Sequence, residues 1–150
     1  MKGSDALNDN VDRRFRIGDI YLMYFDGIGN EQKGWRPGLV FQNNTGNIYS
    51  PNIIALPLTS SKKKMDQPTH VLISADESGL KMDSIVLCEN PERMSKNRIG
   101  HYITTLNNEY MKKIAAASIL ASSAISFLSM DNLLELWHNA TLLNAADGAA

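Results

Sequence analysis

Three short stretches of this chain carry side chains suited to work on a phosphate. The first lies in the polar, glycine-rich run GIGNEQKGWRPGLVFQN (residues 27–43), where Arg36 immediately precedes Pro37. A proline biases the residue before it toward extended backbone, which sets Arg36 at the mouth of the strand that follows. Polar loops of this length between strands are frequently binding loops. The second stretch, LTSSKKK (residues 58–64), is a strand end that runs through Thr59 and Ser60 into lysines, including Lys62 and Lys63. Hydroxyls and amines there fit phosphate contacts. The third, CENPER (residues 88–93), places the acceptors Glu89 and Asn90 at another strand end. Each also has an ordinary reading, as a solvated arginine, a capping Thr-Ser turn or a solvated lysine face. His70 and His101 fall in strand-like runs, where a hydrogen-bonded structural role is the simpler expectation, and His138 falls on a helical segment. No Cys/His or His/carboxylate spacing suits a metal, and no glycine pattern matches a P-loop or dinucleotide fingerprint, so neither metal nor cofactor is expected. No G-x-S-x-G string supports a serine nucleophile.

These residues need a scaffold, and the chain reads as mainly β followed by helix. Short runs rich in β-branched and aromatic residues, IGDIYLMYF, PGLVFQNN, TGNIYSP, NIIALPLT, PTHVLI, SIVLCE and HYITTL, are separated by turn chemistry. Five or six strands at such spacing predict an antiparallel sheet curled into a small barrel. Pro57 removes a ladder donor inside NIIALPLT, which predicts an edge or a bulge there. After Leu106 the period changes to helical, with Asn107 or Asn108 as cap and Ile114, Ile119, Ile125 and Leu128 as a possible apolar face. A second amphipathic segment, DNLLELWHNATLLNA, follows Ser129 or Asp131 as candidate caps.

The chain of 150 residues, 43% of them hydrophobic, can bury one core and is short for two domains. Its net charge of -1 conceals an asymmetry. Residues 13–113 carry 14 basic against 10 acidic side chains, and the acidic excess sits in the tails. One cysteine, Cys88, cannot form an intramolecular disulfide and reads as core filler in a reducing, cytoplasmic setting. The first dozen residues lack an apolar run and read as a flexible leader rather than a signal peptide. The apolar stretch at residues 114–128 is interrupted by serines and too short to span a bilayer, so no membrane association is expected.

In their order, GDIYLMYFD, GNEQKGWRPGLVFQNNTGN, NIIALPLTSS, PTHVLI and DSIVLCE resemble the MazF/PemK toxins of type II toxin-antitoxin systems. The most specific part is the G-x-R-P-x-L-V-x-Q-N string at residues 34–43, followed after an S-P turn by the strand ending in Thr59. The resemblance covers about residues 16–128 and implies an SH3-like small barrel of the MazF/PemK/CcdB type, α+β overall, that forms a homodimer. It further implies sequence-specific, ribosome- and metal-independent cutting of single-stranded RNA to 2′,3′-cyclic phosphate and 5′-hydroxyl ends, with a MazE-like cognate antitoxin as partner. The family's catalytic pair falls on Arg36 and Thr59, and its base-reading positions fall on Glu31, Gln32, Glu89 and Asn90. Lys33, Gly34, Trp35, Ser60, Lys62 and Lys63 complete the expected RNA-contact set. The implied division is a leader at 1–14, a nuclease domain at 15–128 and an extra helix with a frayed tail at 129–150.

The pattern departs from the family in three places. Trp35 stands where the family commonly has a smaller residue. The usual Ile-Arg-Thr-like stretch reads Asn-Pro-Glu-Arg, so no role is carried onto Arg93. The helix after Asp131 extends beyond the family's usual end, either to cover an apolar patch or to add a contact. Two rival readings keep the barrel: a CcdB-like poison of DNA gyrase, and an inactive RNA- or antitoxin-binding module.

Overall fold

The computed structural model describes residues 14–28, 33–60 and 67–145. The expected leader up to residue 13 and the ADGAA tail at 146–150 lie outside the described residues. Among the described residues there are seven strands: β1 (Asp19–Asp26), β2 (Lys33–Val40), β3 (Asn52–Thr59), β4 (His70–Ile73), β5 (Ser84–Leu87), β6 (Glu92–Ser95) and β7 (Ile99–Thr105). They pair antiparallel in the order β4-β5-β3-β2-β1-β7, with β6 also on β3. The described residues also form four α-helices, α1 (Asn44–Tyr49) and α2 (Ala75–Ser78) between strands and α3 (Asn108–Ala121) and α4 (Met130–Asn144) after β7.

β1 sets the logic of the sheet. Along it Tyr21, Met23 and Phe25 are buried while Tyr24 and Asp26 are exposed, which is the period-2 signature of a strand. Those odd positions join Phe15, Val40, Ile53, Ala55, Met94 and Ile99 in one apolar cluster. On the other face Ile20, Leu39, Leu56, Leu58, Val86 and Cys88 join Tyr110, Ile114 and Ala117 of α3 in a second. A sheet covered on both faces in this way curls around one core and carries its helix over the other, the small barrel-like arrangement that the strand spacing predicted.

β3 is the pivot, and here the expectation for Pro57 is corrected. Pro57 pairs with Gly38 in the interior of the sheet, not at an edge. On its second side β3 pairs with β6 through residues 52–55 and with β5 through residues 58–59. Pro57, which has no N–H to give, falls in the gap where the neighbour changes.

Two other expectations are corrected by local chemistry. TGNIYSP, read as a strand-like run, forms α1, because Asn43 caps it by accepting from the Gly46 N–H at 2.9 Å. ERMS, read only as the sequel of a strand end, is β6, which raises the strand count to seven. The ambiguous helix starts resolve to Asn107, accepting from the Tyr110 N–H, and to Ser129, which forms a capping box with Asn132. α3 ends at Ala121, before a 3-10 turn at Ala124–Phe127. Ile119, on the side of α3 away from its buried residues, and Ile125, beyond the helix end, are exposed rather than part of one continuous apolar face.

Cys88 is 2% exposed, and burial pushes its thiol pKa up to about 11, as befits core filler. Asp19 is buried but satisfied, accepting from the Arg16 N–H, the Tyr21 hydroxyl and the Thr105 hydroxyl, which ties the start of β1 to the end of β7. Among the described residues no helix is long and apolar enough to cross a membrane.

Candidate active site

At one end of the sheet β2, β5 and β7 begin and β1 and β3 finish, because antiparallel neighbours alternate direction. An open cleft of about 950 Å³ lies there. The register explains which chemistry meets in it. Gly38 opposes Pro57, Leu39 opposes Leu56 and Val40 opposes Ala55. Continued by two residues, the same register sets Arg36 across from Thr59, on the same face because side chains alternate with period 2. Both residues line the cleft.

Their surroundings are organised. The Arg36 Nε donates to the Lys33 carbonyl at 2.9 Å, which fixes the guanidinium plane from its own strand. Thr59 is 9% exposed and is the last residue of β3, so it sits on the sheet rather than on a loop. Gly34 has φ +79°, a left-handed conformation that a side chain would strain, so the entry of β2 needs glycine. Trp35 packs edge-on against Tyr24 at 5.5 Å between ring centroids and remains 44% exposed. It also rests on Gly100, where an added Cβ would lie 3.3 Å from the indole and 3.1 Å from the Leu22 carbonyl oxygen.

The charge balance is one-sided. The cleft takes Lys33, Arg36 and Lys81, and among its described lining residues there is no carboxylate. Such a wall attracts a polyanion, and desolvation within it strengthens each contact. Among the described residues no group of three or more His, Cys, Asp or Glu side chains could hold a metal ion.

Of the expected RNA-contact residues, Lys33, Gly34, Trp35, Arg36, Thr59 and Ser60 come together in this cleft. Glu31, Gln32, Lys62 and Lys63 lie outside the described residues. Glu89 and Asn90 follow the opposite end of β5, away from the cleft lining. Glu89 meets the buried His70, Nε2 to Oε1, at 2.6 Å. Asn90 donates its backbone N–H to the Leu87 carbonyl at 3.2 Å, closing the turn that leaves β5.

Four polar residues in the lining were not anticipated from the sequence: Lys81, Ser84, His101 and Tyr102. Lys81 lies between PTHVLI and SIVLCE, where the sequence shows only turn chemistry. No local signal marked His101 or Tyr102, since their strand joins the cleft only through pairing with β1.

Comparison with known proteins identifies the family and the fold. Residues 16–121 match the family described as PemK-like, MazF-like toxin of type II toxin-antitoxin system. The chain is 38% identical over 111 residues to the Endoribonuclease EndoA of Bacillus subtilis, covering 73% of this chain and 96% of that protein. It is 39% identical over 100 residues to Endoribonuclease MazF of Staphylococcus saprophyticus, covering 66% of this chain and 83% of that one. MazF from Deinococcus radiodurans shares the fold at TM-score 0.64 and 19% identity, over 78% of this chain and all of its own. A mycobacterial endoribonuclease solved in complex with its cognate antitoxin matches at TM-score 0.58 and 24% identity, over 71% of this chain and 93% of its own. With the match covering most of the chain and relatives aligned over nearly their full length, this protein belongs to the PemK/MazF-like toxin family of type II toxin-antitoxin systems.

Proposed function

We propose that this toxin is an endoribonuclease that cuts single-stranded RNA in the cleft at the open end of its sheet, with Arg36 and Thr59 as the catalytic pair. The observation that carries this reading is that both line one cleft whose described charges are all positive. Cutting through the RNA's own 2′-hydroxyl asks the protein for alignment, and for donors aimed at the charge that develops on phosphorus. The Arg36 fork supplies those donors to two phosphate oxygens. An arginine is essentially never deprotonated near neutral pH, so Arg36 stabilises charge rather than acting as a base. Thr59, at the end of β3, orients the phosphate or the 2′-hydroxyl. Lys33, Ser60 and Lys81 hold neighbouring phosphates, and the half-exposed Trp35 stacks a base.

The products are a 2′,3′-cyclic phosphate and a 5′-hydroxyl, formed without metal. Glu31, Gln32, Lys62 and Lys63 contact the bases and phosphates that flank the cut, while Glu89 and Asn90, beyond the far end of β5, meet only RNA that runs on past the cleft. The working form is a cytoplasmic homodimer, and the cleft is where a cognate antitoxin competes with RNA. Antitoxin complexes of structurally similar toxins support that partner class. Residues 15–128 make the nuclease and residues 129–150 an appendage.

The test incubates the purified protein and its Arg36→Ala variant with a long RNA in EDTA and maps the ends. Discrete cuts with 5′-hydroxyl ends, lost in Arg36→Ala and reduced less severely in Thr59→Ala, are the expected result. An Arg36→Ala protein that cuts at the parental rate overturns the assignment. A parental protein that leaves RNA intact but yields gyrase-dependent DNA breaks moves it to the gyrase-poison class.

A further inference from the structure

Among the described residues three glycines have positive φ, and they stand in different settings. Gly79 caps α2, and Gly18 turns the chain into β1. Gly34, at φ +79°, falls inside a strand, where a glycine often marks a bulge or a close backbone contact. Neither accompanies it. The β1–β2 register runs from Asp26–Lys33 to Ile20–Leu39 without a shift, and a Cβ added at Gly34 would meet no described atom within 4 Å.

Resting on the endoribonuclease reading, we propose that Gly34 is a positioning residue for the cut: its left-handed backbone carries the Lys33 carbonyl to Arg36 and so aims the guanidinium at the phosphate. Along a regular strand residues three apart are separated by about 10 Å, and side chains stand roughly perpendicular to the sheet. A strand arginine therefore does not ordinarily meet the carbonyl of the third residue before it. Here the Arg36 Nε donates to the Lys33 carbonyl at 2.9 Å, and the left-handed Gly34 lies between the two.

The residues after this kink are fixed. Trp35, on the face opposite Arg36, packs edge-on against Tyr24 at 5.5 Å and over Gly100. Pro37 has its φ set by its ring. Before the kink, Lys33 stands on the last rung of the β1–β2 ladder, opposite Asp26. An L side chain at position 34 resists a positive φ, and the chain relieves that resistance at its looser end, by turning the Lys33 carbonyl away. Arg36 then keeps its charge and its place on β2 but loses the partner that sets its plane. A guanidinium matches two phosphate oxygens only when its plane is aligned with them, so the loss falls on the transition state, where charge gathers on those oxygens.

The experiment measures single-site cutting of a short RNA in EDTA by the full-length protein and by Gly34→Ala, Gly34→Asn, Gly34→Val and Gly18→Ala. Binding of the same RNA with a 2′-deoxy nucleotide at the cut is measured alongside. Gly34→Ala should lower kcat by about 10- to 100-fold, the scale of a small misalignment of a catalytic group, with Kd for the 2′-deoxy strand changed by less than about threefold. Gly34→Asn should recover most of that loss, because asparagine enters the left-handed region far more readily than alanine, and Gly34→Val should be at least as slow as Gly34→Ala. Gly18→Ala places the same kind of backbone strain, at φ +90°, at the other end of β1. It should lower the urea midpoint while cutting at close to the parental kcat. The proposal is overturned by a parental kcat in Gly34→Ala, by an Asn variant as slow as the Ala one, by a loss confined to Kd, or by an equal kcat loss in Gly18→Ala. A parental protein that leaves RNA intact removes the nuclease reading and this proposal with it. Abolished cutting in Arg36→Ala beside parental cutting in Gly34→Ala removes only the proposal.

Discussion

α3 and α4 are a matched pair that the fold treats differently. They are 14 and 15 residues long, both start at a side-chain N-cap, and both carry apolar residues at helical spacing. α3 buries Tyr110, Ile114 and Ala117, positions i, i+4 and i+7, in the core that faces the sheet. Its Tyr110 hydroxyl also accepts from the Ser74 N–H and donates to Glu77, fastening the helix to the start of α2. α4 buries nothing, and Leu134 and Trp137 are 65% and 73% exposed. It touches the body through α1, where the Thr45 hydroxyl donates to the Leu143 carbonyl and the Asn44 N–H donates to Asn144. Amphipathic spacing and a good cap thus make a helix, while burial depends on whether another element presents a matching apolar surface.

The sharpest way to break the comparison is to cut both helices at equivalent points. Ile114→Ala removes a fully buried side chain and should cost about 2–5 kcal/mol, read from urea unfolding. A loss below about 1 kcal/mol would mean that α3 does not hold the second core. Removing residues 130–150 should be far milder, lowering stability by at most about 1 kcal/mol, because two exposed hydrogen bonds are what α4 gives the body. RNA cutting should survive that truncation, and sizing chromatography should report the same oligomer. Loss of dimer and activity together would make α4 integral to the enzyme. Leu136→Ala should shift unfolding by no more than about 0.5 kcal/mol, since the side chain is half exposed. A large effect there would reveal a docked state of α4.

The same contrast between local and long-range information governs what could be read in advance. β1, β3 and β7 were legible because one β-branched or aromatic run fills each, and the caps Asn107 and Ser129 were legible as residue types. α1 was misjudged because TGNIYSP has the β-branched and aromatic content of a strand, while the Asn43 cap that decides it comes from the preceding run. β6 escaped because four residues with one buried side chain, Met94, leave no period to detect. Pro57 carried a true signal, the missing donor, but a sequence cannot say that β3 exchanges one neighbour for another at that point.

The candidate site divides in the same way. Arg36 before Pro37 and Thr59 before its serines are readable as chemistry, and their order along the chain carries the family. Their meeting is a matter of register, which the β2–β3 ladder fixes through residues that do no chemistry. His101 lies 65 positions beyond Arg36 and joins the lining of the same cleft only because β1 pairs with both β2 and β7.

By itself, then, the sequence determined the quantities that act between near neighbours: strand and helix periods, the caps, the basic balance of the folded segment and the residue types available for phosphate chemistry. The tertiary structure decided which of those residues face one another, that the described charges of the cleft are all positive, and that α3 is buried while α4 is not. The physical reason is that propensity and capping are paid within a few residues, whereas register, burial and the shape of a cleft arise from contacts between segments far apart in the chain.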